Sequence, residues 1–109
     1  MKRIYVAGPY TAKDPRETQM NVDKAISIGC QLITKGYAPF IPHLSHYIWL
    51  HPEGNFNYSK WTELDFEWLG TCEAFFFIAH SRGADAELNA AKAIDLPVYY
   101  DIDEVPTLV

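Results

Sequence analysis

Hydrophobic and polar positions along the chain change period several times, and each change marks an element. Residues 3–7, Arg-Ile-Tyr-Val-Ala, are rich in β-formers and stop at Gly8-Pro9, which predicts a first strand. Residues 17–35 then carry apolar side chains at 22, 25, 26, 29, 32 and 33, which is helical spacing, with Gly36 placed as the stop. Residues 37–42 form a short β-rich run closed by Pro42. From 43 to 58, Pro52, Gly54, Asn55 and Asn57 alternate with aromatics and His, which reads as a long loop with room for a helical turn at 44–50. Ser59 is the expected cap of a helix over 60–71, with Trp61, Leu64 and Trp68 on its inner face. Residues 73–79 supply a third strand, and the unbroken apolar run within it, 74–79, suits a central parallel strand covered on both sides. A helix then opens near Ser81, and residues 96–101 supply a fourth strand, after which the last residues either add an edge or simply dock.

Strands and helices alternate throughout. The pattern predicts an α/β chain of one domain, residues 1–109, built as a parallel, Rossmann- or flavodoxin-like sheet of four to five strands with helices on both faces. Ligands in such sheets bind beyond the carboxyl ends of the strands. Three loops meet there: Gly8–Arg16, Pro42–Tyr58 and His80–Gly83.

Composition narrows the class. An apolar fraction of 49% with 21% charged residues is that of a soluble globule, and the net charge of −5 disfavours binding to a nucleic acid polymer. The longest apolar run, residues 74–79, is far below the ~18 residues of a membrane span, and the apolar stretch at the start breaks too early for a signal peptide. Cys30 and Cys72 lack paired spacing and read as small buried apolar residues in a reducing cytoplasm. His43 and His46 stand three apart, but nothing completes a metal set, so neither metal nor cofactor is expected. Aromatics make up 15% of a short chain, which points to a homodimer or higher homo-oligomer that buries some of them.

Three stretches could carry chemistry. In Ile-Tyr-Val-Ala-Gly-Pro, strand alternation puts Tyr5 and Ala7 on one face and Ile4 and Val6 on the other. Gly8 allows close approach of a ligand, Pro9 stiffens the turn, and Tyr10 follows them in the loop; Tyr5 reads equally as a core aromatic. In Asp-Phe-Glu-Trp-Leu, Asp65 either faces solvent or leans into the cleft. In Ser-Arg-Gly-Ala-Asp-Ala-Glu, Ser81 and Gly83 sit at a helix N-terminus suited to a phosphate or sugar hydroxyl. Glu87 lies one turn further in, either complementing the dipole or entering the pocket. Alanines at 84, 86, 90, 91 and 93 either leave room for a pentose or simply let the helix pack closely. Together, two carboxylates around one pocket suit glycosidic chemistry. Aromatics at 47, 49, 58 and 61, with His43 and His46, are candidates to contact a base or sugar.

The three motifs, in this order and spacing, resemble the nucleoside 2-deoxyribosyltransferase superfamily and its 2′-deoxynucleoside 5′-monophosphate N-glycosidase relatives. The resemblance covers most of residues 3–100. It implies that Glu87 is the nucleophile, that Asp65 contacts substrate and assists proton transfer, and that Tyr5 orients Glu87. It implies further that Ser81 and Gly83 bind a 5′-phosphate, and it leans the substrate toward nucleotides over free nucleosides. Gly8, Pro9, Tyr10 and His43 complete the expected substrate contacts. The expected activity is cleavage or transfer of an N-glycosidic bond of a nucleoside or nucleoside 5′-monophosphate. A non-catalytic nucleotide-binding or sensing module is the alternative.

Overall fold

The computed structural model describes residues 1–109. Four strands form one parallel sheet: β1 (Arg3–Ala7), β2 (Ala38–Phe40), β3 (Ala74–Phe77) and β4 (Val98–Tyr99), ordered β2-β1-β3-β4. Helices α1 (Pro15–Thr34), α2 (Ser45–Trp49), α3 (Tyr58–Leu69) and α4 (Arg82–Ala93) connect them, with short 3-10 turns at Pro42–Leu44 and Ile102–Glu104. The expected α/β architecture is therefore present, with four strands and helices on both faces.

Alternation along the strands builds the two faces. Ile4, Val6, Ala74 and Phe76 pack against Ala25 and Leu32 of α1 on one side. Tyr5, Ala7, Phe75 and Phe77 pack against Leu69 of α3 and against Ala84, Leu88 and Ala91 of α4 on the other. Both faces of β1 and β3 are covered, so Ile4 to Ala7 and Ala74 to Phe77 are all buried. That double coverage is what the continuous apolar runs encode.

Helix ends follow local chemistry. Asp14 caps α1 by accepting the Arg16 amide at 2.9 Å, with Pro15 in the first turn, so this helix starts two residues before the expected residue 17. Gly36 ends it with φ +100°, a left-handed conformation that suits glycine. The expected cap of α3 at Ser59 is corrected: Asn57 accepts the Lys60 amide at 2.8 Å, and the helix begins at Tyr58. Its inner face is corrected as well. Leu69 is buried and Trp61, Thr62, Asp65 and Phe66 are half-buried, so Trp61 lies inward as expected, whereas Leu64 and Trp68 are 40% and 55% exposed. The turn thus runs about one residue out of phase with the hydrophobicity, and it brings a carboxylate inward where two apolar residues were expected. Cys72 is buried as expected, but Cys30 is exposed on the outer side of α1. No helix is long and apolar enough to cross a membrane.

The connection from β1 through α1 leads to β2 on one side, and β3 lies on the other side of β1. The strand order therefore reverses between β1 and β3, the place where such sheets open a crevice beyond their carboxyl ends. There, Gly8 abuts Ile78 so closely that a Cβ on residue 8 would lie 2.8 Å from the Ile78 Cβ. Glycine is needed for the two strand exits to meet.

Candidate active site

Tyr5, Asp65 and Glu87 converge on the α3/α4 face of the sheet. Tyr5 is in the middle of β1, in register with Phe40 of β2 and Phe75 of β3. Its ring is fully buried, stacked on Phe75 at 5.7 Å and tilted against Phe40 at 5.5 Å. Held on both sides, the phenol can point only outward toward α4, where it donates a hydrogen bond to Oε2 of Glu87.

Glu87 reaches that position because it shares a stripe with Ala84, Leu88 and Ala91, the residues that face the sheet. Ala84 and Ala91 are in the core and Ala90 packs against it, so three of the five alanines serve close packing of α4. Asp65 enters from α3, close enough for its charge to bear on both Glu87 and Tyr5.

Electrostatics separate the two acids. Burial pushes Asp65 up to about 7. Burial likewise pushes Glu87 up to about 7, with the hydrogen bond from Tyr5 working against it and the Asp65 charge adding to it. The Tyr5 phenol is driven far above its ordinary value by burial first and then by the two carboxylates, so it stays a donor. A donor aimed at Glu87 favours that residue as carboxylate. Asp65 has no such donor, so when the pair shares one proton, Asp65 is the better holder.

The flanking candidates take supporting places. His43 is 3% exposed, and its Nε2 donates to the carbonyls of Gly8 and Pro9, each at 3.1 Å. Burial lowers its pKa against those two bonds, and its Nδ1 is buried without a partner. The ring therefore sits beneath the β1 exit loop, and the expectation of an open substrate contact gives way to that of a support. Tyr10 behaves similarly: its hydroxyl is bonded to His46 Nδ1 at 2.9 Å, and its carbonyl accepts from Asn21 at 3.0 Å. His46 and Asn21 were not legible as loop supports, since neither position carries a motif. Ser81 caps α4, its Oγ accepting the Ala84 amide at 3.1 Å. Gly83 leaves open space, since a Cβ there would meet only the Tyr58 hydroxyl, at 4.0 Å. His80, exposed beside this helix start, pairs with Asp85 at 2.8 Å. Two surface hollows, of about 480 Å³ along Asp14–Met20 and about 340 Å³ around Tyr47–Gly54, contain none of the three converging residues.

The arrangement is a carboxyl group fixed by a phenol with a second acid beside it, both raised by burial to about 7, on the α3/α4 face of a parallel sheet. The same fold is found in a solved structure of a 2-deoxyribosyltransferase from the psychrotolerant bacterium Bacillus psychrosaccharolyticus, to which this chain is 26% identical with a TM-score of 0.61, covering 88% of this chain and 69% of that one. The sheet and its helices thus form a deoxyribosyltransferase-like fold. More narrowly, the chain belongs to the family described as Domain of unknown function (DUF7768), whose profile matches residues 2–101. No curated protein matches the sequence.

Proposed function

We propose that the protein cleaves or transfers the N-glycosidic bond of a nucleoside or nucleoside 5′-monophosphate, with Glu87 as nucleophile. The observation that carries this reading is the Tyr5 hydrogen bond to Glu87 with Asp65 facing the same point. The likeness to a 2-deoxyribosyltransferase supports it.

In the first step a Glu87 oxygen bonds to C1′ as the C1′–N bond breaks, and the electron pair leaves with the base. Asp65 gives its proton to that base and becomes a carboxylate. The sugar acquires oxocarbenium character on the way, which the neighbouring negative charge stabilises. In the second step Asp65 takes a proton from water as the water oxygen bonds to C1′, and the ester breaks to restore the Glu87 carboxylate. A second base in place of water gives transfer instead of hydrolysis. Tyr5 keeps Glu87 aimed throughout and favours its carboxylate form before the attack and after the ester breaks.

Base release from a panel of nucleosides and their 5′-monophosphates, followed by chromatography, tests the reading. Turnover by the natural chain that falls by roughly 10³-fold or more in Glu87→Ala supports it. Binding without turnover by either protein marks a sensing module and overturns it.

A further inference from the structure

Tyr58 stands in the first turn of α3, yet its hydroxyl comes to the mouth of α4, 4.0 Å from the position of a Cβ on Gly83. Its ring is 74% exposed, so water fills its hydrogen-bonding capacity in the free protein. Gly83 precedes Glu87 by four residues, so the two share one face of α4, separated by about 6 Å along its axis. A glycine in that place leaves open space about one turn N-terminal to Glu87, with the Tyr58 hydroxyl at its edge. A pentose with C1′ against Glu87 presents its C5′ substituent about one helical turn (~5.4 Å) away, at the level of Gly83.

We infer that Tyr58 is a specificity-determining residue whose hydroxyl donates to the 5′-oxygen of the bound nucleoside or nucleotide, an assignment that rests on the glycosyl-transfer reading of the site. The recognised chemistry is an oxygen acceptor on C5′. It is supplied either by a neutral hydroxyl or by a phosphate, and the phosphate would gain more because its oxygens are charged. Neither α3 nor α4 needs to move. The amides of Ala84 and Asp85 are already taken by Ser81, which leaves those of Arg82 and Gly83 facing the same 5′ group.

The test compares Tyr58 with Tyr58→Phe, each carrying Glu87→Gln so that no ligand turns over. Dissociation constants are measured by calorimetry for three probes: a 2′-deoxynucleoside, its 5′-monophosphate and its 2′,5′-dideoxy analogue. The exposed ring at 58 leaves folding intact in the variant. We expect Tyr58→Phe to weaken the 5′-hydroxyl ligand about 3- to 10-fold and the monophosphate by about tenfold or more, leaving the 5′-deoxy analogue unchanged. Equal loss for all three ligands, or no loss, overturns the assignment. Base release by the chain with Glu87 intact is measured alongside. Selective binding loss without any base release keeps the role of Tyr58 and sinks the glycosyl-transfer reading. Base release with indifferent Tyr58→Phe does the reverse. No binding by any of the three ligands sinks both.

Discussion

The Tyr5 phenol donates to the Glu87 carboxylate across 82 positions of sequence, joining the middle of the first strand to the last helix. Removing that donor changes how Glu87 titrates. Tyr5→Phe leaves burial and the Asp65 charge, both of which raise Glu87, and deletes the bond that lowers it. The acid limb of the rate profile moves to higher pH. With Glu87 also less well aimed, kcat is expected to fall about 10²-fold. A pH–rate series on the variant measures both.

Asp65 makes stability depend on pH. Its folded pKa, about 7, lies above its ordinary 3.8. Between those values the folded chain holds a proton that the unfolded chain has lost, so stability falls as pH rises from about 4 to about 7. Discounted for partial exposure to solvent, the fall is ~1–2 kcal/mol. Glu87, also raised to about 7, contributes in the same window, so Asp65→Asn is expected to lessen the slope of denaturant midpoints without removing it, and to be the more stable protein above pH 7. The same substitution removes the proton donor for the leaving base and should lower turnover by about 10²-fold or more.

Gly8 sets the distance between the exits of β1 and β3. Gly8→Ala puts a Cβ 2.8 Å from that of Ile78, and both atoms are tied to backbone. The strands must shift, at a cost of about 1–3 kcal/mol. Thermal unfolding should show a drop of several degrees.

Capping of α3 gives a paired test. Asn57→Ala is expected to cost ~1 kcal/mol, because the Lys60 amide loses its shorter side-chain acceptor and keeps only the Asn57 carbonyl at 3.1 Å. Ser59→Ala, inside the helix, should cost close to nothing. Two urea titrations separate the assignments.

Leu64 and Trp68, exposed on α3, are expected to pack against a second copy of the chain. Light scattering should give a mass above that of one chain, and Trp68→Lys should reduce it to one chain.

Much of this was legible in sequence, and the failures have physical causes. The strand runs at 4–7 and 74–77 were readable because burial on both faces demands continuous apolar residues. That Tyr5, Asp65 and Glu87 belong together was an expectation carried by the family resemblance of their three motifs, since the residue types alone fit a core tyrosine and a solvent-facing aspartate equally well. The orientation of α3 was not, because Trp61, Leu64 and Trp68 follow helical spacing too. Only tertiary packing keeps Trp61 inward and selects Thr62, Asp65, Phe66 and Leu69 over Leu64 and Trp68. Likewise, a His three residues from another His gives no hint that one ring would clamp the Gly8 and Pro9 carbonyls. Such contacts depend on how the β1 and β2 exits lie together, which a linear pattern does not encode.

Placing β3 directly beside β1 means that the three converging groups come from the beginning, middle and end of the chain. The two ends of the Tyr5–Glu87 bond stand 82 positions apart, so no stretch lacking either β1 or α4 contains them all. The constellation exists only once the strands between them have paired, and local loosening of either element would disperse it.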